Sequence, residues 1–211
     1  MGHDSWFNLL GTIATWLAVI VAVCGDRIRL CLFKPKLRII EHAPDKNKST
    51  TSDDVQPVLN EELWYYHLAI CNKRKTPAKN TIVYLTQIEE VVSKKSKILV
   101  WEGEIPLTWH YGFLYKYMSR DIGSEQICDI ISIGETSGIQ VMTMVKPNNM
   151  PKYGNQEVHL NLTIKVKSDQ TIVEAGIEIK WRGEWYGEKD KMSDNIEINI
   201  VNQNEKSSKC K

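Results

Sequence analysis

The chain has 211 residues, a formal net charge of +1 and 25% charged residues, so no bulk field points it towards nucleic acid. Its five cysteines, at 24, 31, 71, 128 and 210, form no CxxC pair; this argues against a zinc site or a disulfide framework and favours reduced thiols. After an apolar N-terminal run and a linker, roughly 150 residues remain, enough for one soluble domain.

In chain order, the first element is Trp6 to Cys24, WFNLLGTIATWLAVIVAVC, which carries no charged side chain. As a helix it would span roughly 28 Å, close to the hydrocarbon thickness of a bilayer. Residues 1–25 are therefore expected to be a single transmembrane helix with a short tail. Read in heptad steps, Asn8, Gly11, Thr15, Ala18 and Ala22 share one stripe of small or polar side chains. Small residues let helices approach closely in lipid, so this stripe is the candidate surface for homo-oligomerisation through the helix, against chance occurrence of common residues. A cleaved signal peptide is the rival reading, but it wants a positive n-region where this chain has Asp4. Myristoylation is disfavoured by Trp6 at the position that wants Ser or Thr.

Residues 26–35 form a basic juxtamembrane segment. Arg27, Arg29, Lys34 and Lys36 make a collar suited to anionic headgroups, and no Lys or Arg precedes the apolar run. Basic residues near a span stay cytoplasmic, so the expected topology is N-terminus out with the C-terminal domain in the cytoplasm.

The domain is expected over 36–202. Lys36 to His42 reads as a first strand, and the polar stretch 43–62 as a mobile loop. From Leu63 the pattern becomes period two: Trp64, Tyr66, Leu68 and Ile70 on one face, Tyr65, His67, Ala69 and Cys71 on the other. TIVYLTQIEEV is rich in β-branched residues. Lys97–Trp101 and Ile105–Trp109 read as two short strands, and 126–133 with 138–145 as a hairpin around Gly134–Gly138. The alternation is cleanest in EVHLNLTIKVK, with Val158, Leu160, Leu162, Ile164 and Val166 inward. GIEIKWRGEWYG and NIEINIV close the domain, and 203–211 reads as a disordered tail. About nine strands with regular turns and no further helical period give an antiparallel, immunoglobulin-like β-sandwich. Cys71 and Cys128 have roughly the spacing of an immunoglobulin bridge, without the accompanying Trp and Tyr pattern.

Catalytic and metal motifs are absent from this reading. The five histidines are scattered, and His67 and His159 fall on strand faces expected to be solvated. Glu89 and Glu90 point to opposite faces of a strand and cannot share a site. No GxSxG, Walker, GxGxxG or HExxH pattern occurs. No enzyme activity and no cofactor are expected. Two aromatic concentrations remain as a candidate partner surface: Trp109, Tyr111, Phe113 and Tyr115 in one stretch, and Trp185 beside a Gly turn. The alternative for the first is a plug closing the end of the sandwich, and for the second a core Trp181 with Trp185 at an edge.

GDRIRLCLFKPKLRI, LWYYHLAICNKRKTPAKNTIVYLTQIE, IPLTW and IEIKWRGEW together resemble a family of uncharacterised bacterial proteins with one N-terminal span and a cytoplasmic β-sandwich. The resemblance covers most of the chain and implies topology and fold, with no catalytic residue to carry over. The function expected is a membrane-anchored interaction or sensing module that binds a protein partner. The alternatives are an oligomerising effector that perturbs the bilayer, or an exported envelope module.

Overall fold

The computed structural model describes residues 11–20, 22, 25, 34–50, 60–93, 96–110 and 119–207. The chain divides into two compact units, Met1–Lys34 and Pro35–Lys211. In the first, residues 11–20 are helical and exposed, including Trp16 and Leu17. Thr15 Oγ1 donates to the Gly11 carbonyl at 2.8 Å, a bond made within the helix itself. Among the described residues no helix is long and apolar enough to cross a membrane.

Among the described residues the second unit holds ten strands: β1 (Leu37–Thr50), β2 (Asn60–Asn72), β3 (Ala78–Ser93), β4 (Ser96–Pro106), β5 (Arg120–Ile122), β6 (Glu125–Gly134), β7 (Gly138–Val141), β8 (Val158–Lys167), β9 (Thr171–Trp181) and β10 (Ile196–Ser207). All pair antiparallel, in one sheet ordered β1-β2-β6-β7 and a second ordered β10-β9-β8-β3-β4, with β5 paired to β3. The two sheets form a sandwich whose core joins Leu68, Ile70 and Ile131 of the first to Leu85, Leu162, Ile164 and Ile177 of the second. The inward set of β8 is the expected one, Val158 to Val166, and β9 matches it with Val173, Ala175, Ile177, Ile179 and Trp181. Each such apolar side chain contributes roughly 1.5–3 kcal/mol by leaving water.

Several boundaries differ from the sequence reading. Residues 43–50 and 60–62, expected in a loop, are strand: β1 and β2 pair from Leu37↔Asn72 out to Thr50↔Asn60. This polar hairpin arm is held by its backbone ladder and by the Lys46–Glu62 ion pair at 2.6 Å. Residues 203–207, expected in the tail, continue β10 opposite β9. The two strands expected between 97 and 109 are largely one, β4, whose pairing with β3 absorbs three register shifts. A seven-residue helix, Lys189–Asn195, precedes β10 and buries only Met192, too short a segment to show a helical period. Cys71 and Cys128 are free thiols on neighbouring strands of one sheet, so they do not form the inter-sheet bridge of an immunoglobulin domain.

The β6–β7 hairpin closes where Gly134 pairs with Gly138, and Gly138 has φ +64°. A Cβ there would lie 2.6 Å from the Gly154 carbonyl carbon, so neither the backbone angle nor the space admits a side chain. Gly138→Ala is expected to cost about 1–3 kcal/mol of stability, read as a lower urea midpoint at unchanged slope.

Candidate functional site

The apolar run LWYYHLAIC in β2 contains one histidine, and ICDIISIG in β6 one aspartate. Alternate residues of β2 are buried on both faces, from Trp64 to Asn72. His67 is therefore not solvated as expected; it is 3% exposed, and Asp129 is 2% exposed. The two are direct cross-strand partners.

Two register shifts frame this pair. On β6, pairing passes from Tyr66↔Ile131 to His67↔Asp129, leaving Ile130 as the extra residue. On β1, pairing passes from His42↔His67 to Asp45↔Tyr65, so that Ala43 and Pro44 together stand opposite Tyr66 and the strand carries one extra residue. Proline is tolerated in a strand at such a bulge, and bulges re-aim the side chains beside them. Here Asp45 is brought over His67. The fourth member, His110, follows β4. The segment 107–110 runs along β6, with the His110 amide donating to the Ile127 carbonyl and the Asp129 amide to the Thr108 carbonyl, both at 2.9 Å. Trp109 and Cys128 are bridge partners there.

The side chains form a closed arrangement. Asp129 Oδ1 lies 2.7 Å from His67 Nδ1 and 2.9 Å from His110 Nδ1. A carboxylate only accepts, so both Nδ1 atoms carry the proton and donate to it. That leaves both Nε2 atoms for Asp45: His67 Nε2 is 2.8 Å from Oδ1, and His110 Nε2 is 3.6 Å from Oδ2. The imidazoles meet edge to face with centroids 4.4 Å apart. Burial opposes a charge on His67, but the hydrogen bonds and negative charges of Asp129 and Asp45 outweigh it, and its pKa is raised above the ordinary value. His110 also lines a recess of about 190 Å³ with Arg120, Glu125, Gln126 and Ile127. One donor atom from each of Asp45, His67 and His110 lies within 4.8 Å of the others, a set able to hold a metal ion.

No family model, curated protein or solved structure matches the chain. The residues themselves must therefore carry any functional reading.

The other sequence candidates fall in different places. Asn8, Arg27, Arg29, Tyr111, Phe113 and Tyr115 lie outside the described residues. Gly11, Thr15, Ala18 and Ala22 are helical and exposed. Trp109 is not a contact surface: it is 2% exposed, packed in the core with the Arg120 guanidinium 5.7 Å from its ring. Trp185 is half-buried against the core, with Lys46 Nζ 5.5 Å from its ring. His159 pairs with Glu178 at 2.7 Å on a half-buried face. Glu89 bonds Asn161 and Lys97. Lys36 is exposed just before β1, next to an equally basic turn: the Lys73 amide donates to the Lys36 carbonyl at 2.9 Å.

The His–Asp cluster went unread in the sequence because its four residues come from four separate segments. The available signal was subtler than spacing. A lone His and a lone Asp, each inside an unbroken apolar strand, imply burial on both faces and hence a need for a partner.

Proposed function

We propose that this chain is a membrane-tethered, non-enzymatic β-sandwich of immunoglobulin-like type that serves as an interaction or sensing module on the cytoplasmic face of a bacterial inner membrane. The apolar run from Trp6 to Cys24 is the single-pass anchor in this reading. The observation that carries it is the charge at the end where the chain enters the sandwich. Lys36 just before β1 and Arg38 on it are exposed, the adjacent turn adds Lys73, Arg74 and Lys75, and Lys79 follows at the start of β3. Lys36, Leu37, Arg38, Lys73 and Gln203 together line a groove of about 490 Å³. The basic character of the juxtamembrane collar thus continues onto the folded domain. Each such residue near an anionic leaflet contributes about 1 kcal/mol of attraction.

The test is fractionation combined with thiol labelling of the full chain, with Cys24, Cys31 and Cys210 replaced by serine and a reporter introduced as Glu188→Cys at an exposed position. The native thiols left behind are silent. Burial, then Glu125, pushes Cys71 up to about 11, and burial holds Cys128 well above the usual thiol range. The expected result is carbonate-resistant membrane association, with labelling only after lysis. Release by carbonate would overturn the anchor, and labelling in intact cells would overturn the topology.

A further inference from the structure

We propose that Asp45, His67 and His110 form a binding site for one divalent transition-metal ion of the zinc class, with Asp129 holding both imidazoles in the ligating orientation. The metal site stands or falls independently of the membrane tether.

The donor set comes first. Two imidazole nitrogens and one carboxylate oxygen suit zinc and its neighbours rather than calcium or magnesium, which take oxygen ligands. Ligands of a tetrahedral zinc ion at 2.0–2.1 Å lie roughly 3.3 Å from one another. The two Nε2-to-Asp45 distances here, 2.8 and 3.6 Å, bracket that value. An ion entering between the three would replace the proton that now bridges His67 Nε2 and Asp45, and the side chains would shift by tenths of an ångström.

The tautomers come second. A ligating histidine usually donates its other ring N–H to a carboxylate or carbonyl, which fixes the ring and raises the basicity of the ligand. Asp129 does this for both rings through one oxygen, Oδ1, and is buried where no competing water reaches it. A network whose role were only to neutralise a buried histidine would need one carboxylate on His67. This one adds a second histidine and directs both Nε2 atoms at a single carboxylate.

Access comes third. The Asp129 side chain is 2% exposed and that of His67 2%, whereas His110 is 11% and Asp45 36% exposed, so the site grades from a sealed floor to an open mouth. Three protein ligands leave a coordination position for water or an incoming ligand. The recess that His110 shares with Arg120, Glu125 and Gln126 offers polar groups to such a ligand.

The experiment is calorimetric titration of the detergent-purified full chain, stripped of metal with a chelator, with zinc chloride at pH 7.5, and cobalt(II) absorption in parallel. The expected result is one ion per chain at a dissociation constant of micromolar or below, with cobalt bands of a four- or five-coordinate nitrogen–oxygen site. Asp45→Ala and His110→Ala are expected to weaken binding at least 100-fold. Asp129→Asn, which keeps the shape and removes the charge, should weaken it about 10- to 100-fold. Asp45 is part-exposed at the mouth of the site, so its variant keeps the sandwich and serves as the decisive one; an unchanged near-ultraviolet circular dichroism spectrum confirms the fold. No heat and no cobalt bands in the wild type would overturn the site. So would unchanged affinity in a folded Asp45→Ala chain, which would assign the ion to another set of residues.

Discussion

Replacing Asp129 by alanine is expected to destabilise the sandwich by about 3–5 kcal/mol, the range for breaking a buried charge pair by removing one partner. For a domain of this size that corresponds to a thermal midpoint lower by about 10 °C. The change leaves His67 Nδ1 and His110 Nδ1, at 2.7 and 2.9 Å from the lost oxygen, without their acceptor. His67 is 3% exposed, so water cannot replace it. The loss depends on pH with a definite sign. Burial works against the His67 charge, yet the bonds and charges of Asp129 and Asp45 raise its folded pKa above the unfolded value. A raised histidine contributes stability that is fully present below the unfolded pKa, about 6.5, and fades as pH rises through the folded pKa. In metal-free buffer the gap between wild type and Asp129→Ala is therefore expected to be widest below about pH 6.5 and to narrow as pH rises through the folded pKa of His67. Thermal melts across that range check it. A gap under 2 °C at pH 6, or one that widens with pH, would sink this account of the cluster.

Trp181→Ala is the second large effect, expected at about 3–5 kcal/mol. Trp181 is 1% exposed and ends β9, where it pairs with Val158 on one side and Ile196 on the other, so its indole binds three strands into one layer. Its Nε1 is buried without a hydrogen-bond partner among the described residues. The tryptophan therefore contributes by volume and apolar area rather than by its N–H. Trp181→Phe removes that unpaired donor along with part of the ring and should cost only about 1 kcal/mol. Urea denaturation of the two variants separates the contributions. Equal losses in both would mean the N–H has a partner in solution.

The sandwich was largely legible in the sequence. Val158 to Val166 and Thr171 to Trp181 alternate without a break because each strand has one face against the other sheet and one towards solvent. The hairpin at Gly134–Gly138 was legible because turn chemistry is local. The arms of β1 and β2 beyond His42 were not, since a polar hairpin stabilised by its backbone ladder has the composition of a loop. The Lys189–Asn195 helix and the end of β10 were missed because their order comes from what they pack against.

The amino-acid sequence by itself determined the order of parts: an uncharged apolar run, a basic collar and a chain of alternating strands with no catalytic motif. Only the tertiary structure decided that His67, His110, Asp45 and Asp129 meet, and that Trp109 turns inward rather than outward. The physical reason lies in the two bulges. An extra residue in a strand reverses which face every later side chain takes, and its cost is met by packing across the sheet, which no local pattern records. Once Ile130 and Ala43–Pro44 shift their strands against β2, two aspartates come onto one buried histidine.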